Sequence, residues 1–284
     1  MTSAAPAAGV PLPPRPGRGG RIARSLRYYL PAFVVFVGVI AAWEILIRVL
    51  EVRAFILPAP SAIGAALLEN WGAGRWPLFE SARATLFEAV GGLVIGTLVG
   101  VIVAFAISRW AGARDSVLPF AIAANAVPIV AVAPIFNAWF GVTNPLSKMM
   151  IVALLVFFPI MINVTRGLTQ VEPSALELMR SYAASEWEVL RKVRLPNALP
   201  YFFTALKVAS TLSLIGAIVG EYFGGSTAVI GRVVVQSASA LRFDVTWAAI
   251  LLASATGIAF YLLIVAIERA LIPWHASVRG EEPA

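Results

Sequence analysis

The chain has 284 residues, 60% of them hydrophobic, a mean hydropathy of +0.85 and a formal net charge of +7. One water-soluble core could not hide that much apolar surface, and the 13% of charged residues is about half the share usual in soluble domains. The arginines cluster at the flanks of apolar blocks, which is how membrane orientation is set, so the positive charge points to a lipid bilayer and not to nucleic acid. The absence of cysteine excludes disulfides, Cys-ligated metals and thiol chemistry.

Residues 1–29 are rich in Pro, Gly, Ala and Arg and lack apolar periodicity. They read as a disordered basic tail ending in Arg15, Arg18, Arg21, Arg24 and Arg27. The apolar block from Leu30 to Leu50 is too long for a signal-peptide core, carries Trp43 and Glu44, and is closed by no small-residue cleavage site. It reads as an uncleaved first membrane helix. A partly polar stretch follows, with the turn run Leu57-Pro58-Ala59-Pro60 and an amphipathic piece from Ser61 to Trp71. Trp71 and Trp76 suit an interfacial position.

Further apolar blocks lie at 84–108, 117–140, 146–165, 199–223 and 245–271, each near the roughly 20 residues a spanning helix needs. The expected fold class is therefore an all-α integral membrane protein of about six transmembrane helices. With the N-terminus inside, the inner segments hold the five tail arginines, Arg109, Arg114, Arg166, Arg180, Arg191, Lys192, Arg194, Arg269 and Arg279. The outer segments hold Arg48, Arg53, Arg75, Arg83, Lys148, Arg232 and Arg242. That two-to-one asymmetry places both ends in the cytoplasm.

The longest inner loop, 166–199, is the most informative. Ser174-Ala175-Leu176-Glu177 and Ser185-Glu186-Trp187-Glu188 both fit a capping box, in which the serine oxygen accepts from a backbone N–H and the glutamate reaches back. The first short helix groups Ala175, Leu178, Met179 and Tyr182 on one face; the second groups Trp187, Leu190 and Val193, with Glu188 and Lys192 paired opposite. Ala183-Ala184 makes a tight joint, Leu195-Pro196 is expected to end the second helix, and Pro200 to open the next. Such apolar faces either pack on the protein's own helix ends and the lipid interface, or enter a groove on another protein.

The run Glu177-Leu178-Met179-Arg180-Ser181-Tyr182-Ala183 and then Val193-Arg194-Leu195-Pro196 resembles the EAA loop of ABC importer permeases. Glu177, Leu195 and Pro196 match that pattern without a gap, and Val193 stands for isoleucine. Leu178 and Met179 replace its two alanines, and Ala183 replaces its glycine, which implies a joint that needs no positive φ. Pro58-Ala59-Pro60-Ser61, the Val127–Pro134 run and Phe157-Phe158-Pro159-Ile160 resemble the nitrate, sulfonate and taurine branch of type I permeases, a branch that includes thiamine-pyrimidine-precursor and riboflavin permeases. Gly220–Gly225 and the ending Glu268-Arg269 with Pro273-Trp274-His275 are similar to its vitamin-precursor members.

The resemblance implies a permease domain over 30–275 between cytoplasmic tails at 1–29 and 276–284. It implies half of a translocation pore that pairs with a second permease copy, docks two cytoplasmic ABC ATPase subunits and receives solute from an extracytoplasmic binding protein. ATP and Mg would be bound by the ATPase, with no cofactor on this chain. The residues implied for ATPase coupling are Glu177, Tyr182, Ala183, Ala184, Ser185, Trp187, Leu195 and Pro196. Consistent with a transport subunit and not an enzyme, the sequence has no Gly-x4-Gly-Lys-Ser/Thr loop, and its one histidine is His275. A secondary transporter is the alternative, but it would need a cluster of deep acidic residues for its coupling ion.

Gly92, Gly96 and Gly100, and again Gly216, Gly220 and Gly224, recur every fourth residue and fit close helix packing within the chain, or contact across a dimer or pore. Pro128, Pro134 and Pro159 interrupt apolar blocks as kinks or hinges. Of the polar residues in membrane segments, Glu44, Glu88 and Glu221 lie toward the outer ends and fit interfacial exposure, while Lys207 fits snorkelling to the inner face. Asn125, the deepest polar residue of its block, fits the pore lining or an interhelical hydrogen bond. With Pro128, Asn137 and Glu221 it makes up the candidate translocation pathway.

Overall fold

Long apolar blocks with their backbone groups satisfied internally are the form a chain takes in lipid, and the computed structural model shows them as helices. It describes residues 18–273 apart from 73, 125–127 and 227. Asn125, His275 and the segments 1–17 and 276–284 lie outside the described residues.

Helix α1 (Arg18–Val49) already begins inside the stretch read as a tail. The amphipathic piece is α2 (Pro60–Glu69), with Ile63 and Ala66 buried. The second block is α3 (Leu78–Ser108), and the fourth is α6 (Pro145–Thr169). Between them the third block departs from expectation. It is not one helix but two, α4 (Ala111–Ala124) and α5 (Ile129–Phe140). Pro128, extended at ψ 111°, stands at the N-cap of α5, because proline cannot donate to a continuing ladder and disfavours helical backbone just before it.

The inner loop contributes α7 (Pro173–Ser181) and α8 (Glu186–Val189), followed by a π-helical turn (Leu190–Arg194) and α9 (Leu195–Tyr222). A short α10 (Ile230–Ser239) and the long α11 (Phe243–Leu271) complete the chain. Among the described residues, five helices are long and apolar enough to cross a membrane: 30–49, 78–108, 145–169, 186–222 and 243–271.

The core is built from α3, α6 and α9. Glycines at every fourth position of α3 face the carbonyl row of α6. A Cβ at Gly92 would lie 2.5 Å from the Met149 carbonyl oxygen, one at Gly96 2.5 Å from that of Ala153, and one at Gly100 3.0 Å from that of Phe157. Three glycines thus meet three successive turns of α6 backbone, the close approach that small residues permit. Gly216 and Gly220 of α9 pack on the same helix, beside Leu155 and Ile151. The fourfold glycine spacing therefore serves packing inside one chain.

A second apolar cluster joins α2, α10 and α11 through Ile63, Ala66, Trp76, Val233, Val245 and Ala248. Trp76, expected at the interface, is buried there, while Trp71 is exposed. From Leu30 on, helix α1 leaves most of its apolar side chains uncovered and is tied to α2 by Glu44. That carboxylate accepts from the Ser61 N–H (3.0 Å), the Ser61 hydroxyl (2.8 Å) and Arg48 Nε (2.6 Å).

Candidate coupling loop and pathway residues

The loop leaves α6 at Thr169 and is closed at its root by Asn197, whose Nδ2 donates to the carbonyls of Gly167 (2.7 Å) and Gln170 (3.1 Å). The first expected capping box does not form. Pro173, suited to a first helical position, makes Glu172 the N-cap of α7 and leaves Ser174 inside the helix. Glu177 is exposed and caps nothing. The second box forms as expected: Ser185 Oγ accepts from the Glu188 N–H (3.3 Å), and Glu188 Oε2 accepts from the Ser185 N–H (3.0 Å). Lys192 Nζ lies 3.3 Å from Glu188 Oε1, the expected pair.

The joint between the short helices differs from expectation. Ala183 has φ 52°, in the left-handed region. Its N–H donates to the Arg180 carbonyl (2.9 Å) and the Ala184 N–H to that of Met179 (3.0 Å). Both bonds belong to the Schellman ending of a helix, which glycine normally makes because a Cβ is strained there. Alanine here adopts a conformation that glycine would take without strain.

Leu195 and Pro196 do not end the second helix, and Pro200 does not begin another. The chain is helical from Glu186 to Tyr222, 37 residues. A proline ring crowds the carbonyl one turn earlier and supplies no donor to it. The π-helical turn at 190–194 precedes Pro196 and widens the backbone where that mismatch falls. Tyr182 and Trp187 are 75% and 66% exposed, respectively, and no residue of α7 is buried. The structure thus places Glu177, Tyr182, Ala183, Ala184, Ser185 and Trp187 on a helix–joint–helix projection, with Leu195 and Pro196 at the foot of α9.

The described pathway candidates lie on or beside α5 and on α9. Asn125 lies outside the described residues, and Pro128 stands at the break before α5. Asn137 is buried, with neither amide atom hydrogen-bonded among the described residues. Glu221 is fully buried rather than interfacial, and Glu88 is buried with it. Lys207 pairs with Glu268 at 2.9 Å. Lys148, counted in the sequence as an outer flanking charge, is fully buried and donates to the Val142 carbonyl. Sequence reading missed these partners because Lys148, Glu88 and Glu221 are far apart in the chain and meet only once α3, α6 and α9 pack.

A family described as binding-protein-dependent transport system inner membrane component matches residues 96–274, more than half of the chain. The chain belongs to this family. It is a multi-pass ABC importer permease, a transport component and not an enzyme. The permease is 29% identical over 239 residues to a probable ABC transporter permease protein of Haemophilus influenzae, covering 84% of this chain and 95% of the relative. It is 28% identical over 258 residues to the riboflavin transport system permease protein RibX of Chloroflexus aurantiacus, covering 89% of this chain and 95% of that one. Among solved structures, an amino acid ABC transporter shares the fold of the permease at a TM-score of 0.56 and 18% identity, over 68% of this chain and 94% of the other.

Proposed function

We propose that the permease moves a small organic or anionic solute inward and is driven by an ATPase docked on the loop 166–199. The solute is of the vitamin-precursor or sulfonate kind; one similar permease is named for riboflavin. The observation that carries the reading is the unbroken helix from Glu186 to Tyr222. At 1.5 Å per residue it spans about 55 Å. It ties Trp187, and through the Ala183–Ser185 joint Tyr182, to the core, where Gly216, Gly220 and Glu221 pack against α6 or α10. A push on the projection therefore reaches the far end of the bundle without passing through a flexible segment.

In this reading two copies of the chain form the pore, residues 30–275 making up each half. Each copy docks one ATPase, which holds ATP and Mg, and an extracytoplasmic binding protein delivers the solute. Both termini face the cytoplasm, as the basic asymmetry implies. The test is to purify the tagged permease from its native membrane and reconstitute it. A phosphate-loop ATPase should accompany it, and solute uptake should need ATP. Uptake driven by an ion gradient with no ATPase present would make the chain a secondary transporter instead.

A further inference from the structure

Helix α10 cannot cap its own beginning. Its N-cap is Val229, which has no polar side chain, so its first N–H groups need partners from elsewhere. Two core helices supply them. The Ile230 N–H donates to Thr85 Oγ1 of α3 at 3.0 Å, and the Gly231 N–H donates to Glu221 Oε2 of α9 at 2.6 Å. A carboxylate at a helix N-terminus is electrostatically favoured. Gly231 is small for the same reason: a Cβ there would sit 2.6 Å from the Glu221 Cβ and push the carboxylate away.

Behind Glu221 lie Glu88 and Lys148, from α3 and α6, both buried. The Lys148 ammonium donates to the Val142 carbonyl, in the turn between α5 and α6. Gly224, with φ 154°, lets the chain after α9 lie against the Val142 side chain. Two neighbouring buried groups thus fasten two separate pieces: Glu221 holds α10, and Lys148 holds the turn at 141–144. Ten residues are too few for α10 to be a stable helix alone. Three buried ionisable groups are also a costly way to make a permanent joint, which apolar residues would make better.

We propose that Glu221, which caps α10, is a positioning residue for transport, and that Lys148 beside it positions the 141–144 turn. Together they hold α10 and the 141–144 turn as a lid over the end of the bundle remote from the coupling loop, and that lid is released when the pathway opens on that side. The proposal rests on the permease reading for its direction, but the fastening itself can be measured without transport.

The native chain has no cysteine, so Val229→Cys is a single reporter, placed at a residue only 2% exposed. Its maleimide labelling rate is read in native membranes and in detergent, on the full chain. Glu221→Ala should raise the rate at least tenfold and lower ATP-driven uptake. Glu221→Gln, which keeps an acceptor oxygen, should raise it less, and Lys148→Met should also raise it. Should the charge variants fail to accumulate, Thr85→Ala, a milder change, decides the matter with an expected severalfold rise. An unchanged rate in Glu221→Ala, or in Thr85→Ala where only that variant accumulates, overturns the lid. Failure of Lys148→Met to change the rate overturns the place of Lys148 in it. Faster labelling of Glu221→Ala, with a parent that shows no ATP-dependent uptake, would keep the lid and reject the importer reading.

Discussion

Ala183 sits in a conformation that costs a residue with a Cβ roughly 1–2 kcal/mol. Replacing it by glycine removes that strain and adds back part of it as unfolded-chain entropy, about 0.4–1 kcal/mol. Ala183→Gly should therefore strengthen the joint by up to about 1.6 kcal/mol, and Ala183→Val should weaken it. Hydrogen exchange at the Ala184 amide, which donates to Met179, checks both. The sequence contained the joint but not its geometry, since alanine carries no signal for left-handed backbone. It also contained both serine–glutamate spacings, and only Ser185 caps, because Pro173 takes the place the other box requires. Lys148 is a sharper case. Removing one member of a buried charged group leaves the rest uncompensated, at a cost of about 3–5 kcal/mol. Lys148→Met should lower the thermal stability of the purified permease, and adding Glu221→Gln and Glu88→Gln should restore part of it. Equal stability of the single variant and the parent would show that the ammonium compensates nothing.

At the scale of elements, hydropathy located the spanning helices well, because length and apolarity are what lipid selects. It did not show that the third block divides at Pro128 or that α9 runs through Pro196 and Pro200. A proline reads the same whether the helix breaks or a π-helical turn absorbs it, and the outcome depends on neighbours that periodicity does not list. The α3–α6 contact follows from glycine spacing and can be tested directly. A side chain at Gly96 would collide with the Ala153 backbone, which cannot swing aside. Gly96→Leu should cost about 1–3 kcal/mol or more through overpacking, with a drop in melting temperature. Gly38, with nothing within 4 Å of its Cβ position, is the control: Gly38→Ala should leave stability unchanged or raise it.

For the whole molecule, the described residues form a helical bundle with two distinct ends. At one, α7, the joint and α8 project with Tyr182 and Trp187 uncovered; at the other, α10 and the 141–144 turn are fastened over buried charge. The continuous helix 186–222 joins them. The projecting end was legible because the amphipathic α7, the Ser185 cap and a matching spacing stand together within the loop 166–199. The fastened end was not, because it is assembled from three helices distant in sequence. The central claim is that ATP hydrolysis by a partner reaches the bundle through the projection. Its most direct test is the amount of ATPase that co-purifies with a Tyr182→Ala/Trp187→Ala permease, normalised to permease inserted in the membrane. The account expects normal insertion with at least a tenfold loss of bound ATPase. Full retention of the ATPase together with ATP-driven uptake would contradict it and leave the loop a mere connector.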